Sequence, residues 1–155
     1  MDDSRDRDRV LVGVDGSNSS IEALRYAARI AAALGSPLSV ATAWTFHPLV
    51  SPYLSDSWSP ERDAEMVLDT AIESAFADVP PPLNRAVLIG PAALTLIEES
   101  AYSAMLVLGS RGHGGFAGLL LGSVSAACAE HGHCPVLIVH PRRQQEGTRG
   151  GPDES

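Results

Sequence analysis

Short runs of apolar residues recur along the chain, and each predicts a buried β-strand. Runs of this kind, bounded by turn residues, are typical of strands that helices cover on both faces. The five predicted strands are residues 10–14, Leu38–Trp44, residues 85–89, residues 105–108 and Val136–Val139.

The segments between these runs have the periodicity of amphipathic helices. Ser19 stands three residues before Glu22, a capping-box spacing that predicts the start of the first helix, and Gly35 is placed to end it. Ser59 and Pro60 predict the start of the second helix. We expect apolar stripes at Ile21, Leu24, Ala27, Ala28, Ala31 and Leu34, then at Ala64, Leu68, Ala71, Ile72, Ala75 and Phe76, and in a third helix at Leu94, Ile97 and Ala101. A fourth helix is predicted from about Ser123 to His131.

Strands and helices alternate from one end of the chain to the other. This order predicts the α/β class, with an open five-stranded parallel sheet, right-handed crossovers and helices on both faces. Ligands of such sheets bind beyond the carboxyl ends of the strands, where the strand order reverses. Asp15 ends the first strand, Ala43 lies near the end of the second and Gly109 follows the fourth. We therefore expect a binding site at this edge of the sheet.

Residues 109–125, with the sequence GSRGHGGFAGLLLGSVS, join the fourth strand to the fourth helix. A strand, a glycine-rich loop and a helix start form a common phosphate-binding construction. Glycine lets the anion approach the backbone, and the helix start presents free N–H groups to it. The stretch predicts a nucleotide-binding module.

Most candidate site residues also have a purely structural interpretation. Asp15 either stabilises the turn after its strand or contacts the ribose or base of a ligand. Arg111 and His113 either neutralise phosphate charge or are simply solvated. Ser123 and Ser125 would cap the helix with or without a phosphate, because a cap and a phosphate ligand use the same geometry.

Composition and charge narrow the class of protein. The 155 residues predict one domain, residues 9–140, with a flexible tail at 1–8 and a disordered tail at 141–155. A net charge of −8 without a basic cluster argues against a nucleic-acid partner. No apolar run reaches the roughly 18 to 20 residues of a membrane span, and the N-terminus does not resemble a signal peptide. We expect a cytoplasmic protein without a membrane partner.

The segment CAEHGHC invites a metal interpretation, because Cys128 and Cys134 flank two histidines. Its spacing matches none of the recognised zinc patterns, however. We expect a buried thiol at Cys128 and histidines that end the fourth helix, so no metal site is predicted.

The glycines of residues 109–125 have fixed spacing. Gly109-x2-Gly112-x9-Gly122-Ser123 fits G-x2-G-x9-G-[S/T], and the chain resembles the universal stress protein family over about residues 10–140. The resemblance implies a Rossmann-like sheet of order 3-2-1-4-5 and a homodimer through Val136–Val139. It also implies ATP or another adenine nucleotide, with its adenine against Asp15 and near Ala43. Mg or Mn is expected only because ATP normally carries such an ion. The phosphates would lie on Gly109, Gly112, Gly122, Ser123, Val124 and Ser125.

Two positions depart from the family pattern. Thr42 stands where histidine is frequent, and Ala104 stands where an aspartate usually precedes the fourth strand. Neither belongs to the phosphate pattern, so the departures concern the fit around the base.

Three functions stay open at this point. The leading hypothesis is an adenine-nucleotide-binding stress-response regulator, with AMP or cyclic AMP as variants of its ligand. The others are a slow ATP hydrolase and a scaffold that binds no nucleotide. Residues 109–125 contain no lysine after the glycines and no carboxylate, which favours binding over catalysis, so no catalytic residue is predicted.

Overall fold

A computed structural model gives the fold of the chain and describes residues 7–45, 59–112 and 121–141. All the predicted elements are present, and each strand begins and ends within one residue of its prediction. In chain order they are β1 (Val10–Gly13), α1 (Asn18–Leu34), β2 (Leu38–Trp44), α2 (Pro60–Phe76), β3 (Asn84–Ile89), α3 (Ala92–Ser100), β4 (Met105–Gly109), α4 (Ser123–His131) and β5 (Val136–Val139). Most of the two predicted tails lies outside the described residues, so their disorder stays a prediction.

The five strands form one parallel sheet in the order β3-β2-β1-β4-β5, which confirms the predicted topology. The chain builds outward from β1 to β2 and β3, then returns to the other side of β1 for β4 and β5. The strand order therefore reverses between β1 and β4. In open α/β sheets a ligand crevice forms at this point, outside the carboxyl ends of the strands.

Two apolar layers cover the two faces of the sheet. On one face α1 and α2 pack on β1 and β2, with Leu24, Leu68 and Val40 fully or almost fully buried. On the other face α3 and α4 pack on β1 and β4 through Leu96 and Cys128. Burial on both sides explains why the central strands are apolar throughout.

The prediction that Ser19 caps α1 is wrong. The N-cap is Ser17, whose Oγ accepts a hydrogen bond from Ser20 N at 3.2 Å. Gly16, with a φ of 85°, turns the chain immediately before Ser17, so the helix begins earlier than the capping-box spacing indicates. Ser19 is instead buried, and its hydroxyl donates to the Val139 carbonyl of β5 at 3.3 Å.

The buried face of α3 also differs from its prediction. Leu94 is 53% exposed and Ala101 is exposed, whereas Ile97 packs partly buried on the core. The buried positions are Thr95, Leu96 and Ser100. The two hydroxyl residues are tolerated there because each donates to a carbonyl of its own helix, so neither is buried unsatisfied. In α1 the predicted Leu34 is likewise exposed.

The second helix starts as predicted, with Ser59 at the N-cap and Pro60 as its first residue. It ends at Phe76, and the three consecutive prolines Pro80, Pro81 and Pro82 begin four residues later. Arg25 of α1 donates to the Ser74 and Ala75 carbonyls, which satisfies acceptors in the last turn of α2. No helix in the described part of the chain is long and apolar enough to cross a membrane.

Candidate functional site

A cavity of about 230 Å³ lies at the carboxyl edge of the sheet, at the switch point between β1 and β4. The ends of β1, β2 and β4 and the start of α4 meet there, together with residues of α1 and α3. Nine of the ten predicted site residues line it: Asp15, Ala43, Gly109, Arg111, Gly112, Gly122, Ser123, Val124 and Ser125. The tenth, His113, lies outside the described residues. The predicted residues are thus brought together, and their part in binding stays a prediction.

Sequence reasoning missed the apolar wall of the cavity. The additional lining residues are Gly13, Val14, Ser20, Ala41, Thr42, Ala92, Leu96 and Leu108. Most lie one to three residues from a predicted site residue, at the ends of β1, β2 and β4. The strand register identifies such residues, because it places Gly13 of β1 beside Ala41 of β2 at the same level of the sheet. No comparable sequence pattern marks Ala92 and Leu96, the residues that α3 contributes to the cavity wall.

Gly109 is required by packing between β4 and α1. A β-carbon at this position would lie 2.6 Å from the Ser19 carbonyl carbon and 2.8 Å from Ser20 N, and it would also meet Ser19 Oγ. Backbone atoms cannot give way as a flexible side chain can, so only glycine lets α1 approach so closely. The first glycine of the motif therefore has a structural reason that is independent of any ligand.

The serines at the start of α1 fix the beginning of the β4–α4 connection. Arg111 N donates to Ser19 Oγ at 3.4 Å, and Ser17 Oγ donates to the Arg111 carbonyl at 3.3 Å. Ser110 is buried, and its N–H donates to the Val139 carbonyl at 2.9 Å. The backbone around Arg111 is consequently held in place on both sides.

Asp15 serves the turn and also faces the cavity rim. Its Oδ1 accepts a hydrogen bond from Ser17 N at 2.9 Å, so the turn-stabilising interpretation is correct. A β-carbon on Gly112 would lie only 2.5 Å from Asp15 Oδ2. The absence of a side chain at Gly112 thus leaves room for this carboxylate on the cavity wall. Asp15 and Arg111 are the two charged residues that line the cavity among the described residues.

The start of α4 is held against the end of β4. Gly122 is the N-cap, and its N–H donates to the Ser110 carbonyl at 2.7 Å. Ser125 is buried, and its hydroxyl donates to the Ser110 and Gly122 carbonyls at 3.1 and 3.0 Å. Ser123 is exposed on the first turn, where helix geometry gives the N–H groups no intrahelical acceptor. A positive dipole end with free N–H groups therefore borders the cavity.

The cysteine and histidine segment lies away from the cavity. Cys128 is fully buried, and this burial raises the pKa of its thiol to about 11. Burial also raises the pKa of Cys134, against a smaller lowering by a hydrogen bond with the Leu106 backbone. No group of three potential metal ligands is found in the ranges that the structure describes.

Comparison with known proteins identifies the family. The profile of the universal stress protein family matches residues 6–140. The chain belongs to the universal stress protein family. It is 32% identical to a universal stress protein of Mycobacterium tuberculosis (strain H37Rv) over 94% of its own length and 54% of the relative. It is 32% identical to one of Mycolicibacterium smegmatis over 86% of this chain and 46% of the relative. This universal stress protein chain thus spans about half the length of these relatives.

Solved universal stress proteins share its fold. A universal stress protein in complex with cAMP superposes with a TM-score of 0.65 at 31% identity, covering 86% of this chain and 97% of the other. A universal stress protein of Lactobacillus plantarum superposes with a TM-score of 0.67 at 18% identity and the same coverage. The second likeness concerns the fold alone.

Proposed function

We propose that this universal stress protein binds an adenine nucleotide in the cavity at the switch point. The observation that carries the proposal is the meeting of nine predicted residues from separate segments around one cavity. The phosphate motif lies on one side of that cavity, and small apolar residues lie on the other. The likeness to a universal stress protein in complex with cAMP, at 31% identity, supports an adenine ligand.

In the proposed arrangement the base lies against the ends of β1 and β2, near Val14 and Ala43. The phosphates lie at Gly112, at Gly122 and on the first N–H groups of α4, where the helix dipole favours negative charge. The cavity of about 230 Å³ is smaller than ordinary ligand sites, which span about 300 to 1,000 Å³. We therefore expect the phosphates to extend to its open rim.

ATP, accompanied by Mg or Mn, is the ligand that the motif favours. Cyclic AMP is the second candidate, because the described cavity wall carries a single cationic side chain, Arg111, which suits a ligand of low charge. Mass spectrometry of nucleotides that co-purify, followed by calorimetric titration with ATP, AMP and cyclic AMP, tests the proposal. GTP is the control ligand. No retained nucleotide and no heat with any adenine nucleotide would instead support a scaffold.

The proposed role is to hold the nucleotide rather than to consume it. The sequence contains no lysine, and residues 109–125 contain no carboxylate, whereas phosphoryl transfer generally uses a phosphate-binding lysine and a carboxylate-held metal. The Asp15 carboxylate already accepts the Ser17 N–H. Steady-state ATP hydrolysis that is faster in the wild type than in Asp15→Ala would contradict this part of the proposal.

The nucleotide would act as a signal within a stress-response protein of the cytoplasm. A ligand that binds one conformation or one oligomeric state preferentially shifts the equilibrium towards it. We further propose a homodimer through β5, because this strand lies at an edge of the sheet, and edge strands generally offer backbone groups for pairing with another chain. Analytical ultracentrifugation should then give twice the 16.3 kDa mass of one copy.

A further inference from the structure

Ser19 joins three separate segments of the chain through one hydroxyl. It lies in the first turn of α1, is only 4% exposed and does not line the cavity. Its Oγ donates to the Val139 carbonyl at the end of β5 at 3.3 Å and accepts from Arg111 N, beyond the end of β4, at 3.4 Å. Because the hydroxyl is used both as donor and as acceptor, it holds these two backbone groups in a fixed relation.

The N–H that Ser19 holds belongs to the peptide group between Ser110 and Arg111. The carbonyl of the same peptide group accepts two hydrogen bonds from the start of α4, from Gly122 N at 2.7 Å and from Ser125 Oγ at 3.1 Å. A peptide group is planar, so its N–H and its carbonyl turn together. This one peptide group therefore links α1 on one side with the first turn of α4 on the other.

The tilt of this peptide group affects the phosphate motif on both sides of the cavity rim. Gly112 follows Arg111 directly, and its N lies 3.4 Å from the position that a β-carbon on Gly122 would take. Gly122 in turn is the N-cap of α4, whose first residues line the cavity. A change of tilt would therefore shift Gly112 relative to the start of α4. Binding groups must be held within about 0.5 Å of their productive geometry, so a small shift is enough to weaken a ligand contact.

We propose that Ser19 is a positioning residue for the phosphate group of the bound nucleotide. It acts through the Ser110–Arg111 peptide group and does not touch the ligand. Its hydroxyl fixes the first turn of α4 relative to Gly112, so that the N–H groups of the helix start meet the phosphate in one fixed arrangement. This inference rests on the proposed function of the cavity and adds to it a residue outside the cavity wall that determines how firmly phosphate is held.

Ser19→Ala and Ser100→Ala form the matched pair that tests it. Ser100 is also buried and outside the cavity wall, and its hydroxyl likewise joins two segments: it donates to the Ile97 carbonyl at 2.6 Å and accepts from His133 N at 2.9 Å. Each substitution should lower the melting temperature of the ligand-free protein, because each removes the acceptor of a backbone N–H. Ser19→Cys, whose thiol is a weaker hydrogen-bonding group, replaces Ser19→Ala if the latter does not fold, with a smaller expected loss of affinity.

Binding of AMP and of adenosine separates positioning from a merely structural role. By calorimetry, Ser19→Ala should bind AMP about two- to tenfold more weakly than the wild type, the effect of one neutral hydrogen bond. Ser100→Ala should bind AMP within about twofold of the wild type, because distant sites act independently. Adenosine lacks the phosphate group, so Ser19→Ala and the wild type should bind it equally well. General destabilisation would not produce a loss that depends on the phosphate.

Failure of the inference is distinct from failure of the proposed function. Wild-type protein that binds neither AMP nor any other adenine nucleotide overturns both. Wild-type protein that binds AMP while Ser19→Ala binds it equally well overturns only the positioning role of Ser19. An equal loss of AMP affinity in Ser100→Ala, or a loss for adenosine as large as that for AMP, also overturns that role, because the hydroxyl would then act only through the stability of the fold.

Discussion

Replacing Gly109 by alanine tests whether this glycine serves the packing of α1 on β4. The added β-carbon would lie 2.6 and 2.8 Å from backbone atoms of Ser19 and Ser20, closer than real β-carbons come to any atom. The start of α1 and the end of β4 must therefore separate. We expect Gly109→Ala to fold with reduced stability, whether or not a nucleotide is bound.

The magnitude follows from the contacts that the separation disturbs. Overpacking of a well-packed interior costs about 1 to 3 kcal/mol. The Ser19 hydroxyl also joins α1 to Val139 and to Arg111 N, and each hydrogen bond contributes about 1 kcal/mol. The expected loss is about 3 to 5 kcal/mol, a large part of the roughly 5 to 15 kcal/mol by which native proteins are stable.

Gly122→Ala is the matched control. Gly122 has a φ of −67° and a ψ of 165°, which any residue adopts, and the nearest atom to a β-carbon there would be Gly112 N at 3.4 Å. Loss of a glycine N-cap should cost no more than about 1 kcal/mol. Urea unfolding followed by circular dichroism measures both variants. If Gly109→Ala proved as stable as Gly122→Ala, the packing explanation of Gly109 would be refuted.

Three further predictions concern the cavity and the buried thiol. Gly112→Ala should weaken adenine-nucleotide binding about tenfold in a calorimetric titration, because the β-carbon displaces the Asp15 carboxylate; unchanged affinity would contradict this. Arg111→Ala should lose roughly threefold in affinity at low salt and less at high salt, whereas the exposed Arg62→Ala should lose nothing. The Cys128 thiol has a pKa of about 11 in the folded protein against 9.0 as its ordinary value, so above pH 9 the unfolded state loses this proton first. The stability that the protonated thiol contributes is fully present below pH 9, and the free energy of unfolding falls by about 3 kcal/mol as the pH rises to 11. Urea unfolding measures this loss, and Cys128→Ala should not show it.

The sequence was sufficient to predict the strands and the glycine-rich side of the candidate site. The strands were predictable because helices cover both faces of the sheet, which makes strands such as Val136–Val139 wholly apolar. The phosphate motif was predictable because its spacing is local: Gly109, Gly112 and Gly122 lie on one strand–loop–helix unit. Their convergence with Asp15 followed from the parallel topology alone.

What could not be predicted depends on contacts between distant segments. The role of Ser19 was hidden because three nearby serines can all cap a helix, and only the approach of β5 selects Ser19 for burial. The buried face of α3 was misjudged because Thr95 and Ser100 satisfy their hydroxyls within the helix. Gly109 was assigned to phosphate because its contact with α1 has no local signature.

Amide hydrogen exchange with and without the preferred adenine nucleotide is the most direct test of the proposed site. Binding at the switch point should slow exchange in residues 13–15, 41–43, 109–112 and 122–125, four of the segments that line the cavity. Exchange at the opposite edge of the sheet, at Glu98 and Tyr102, should not change. A nucleotide that binds without protecting these four segments, or that protects the opposite edge instead, would contradict the account.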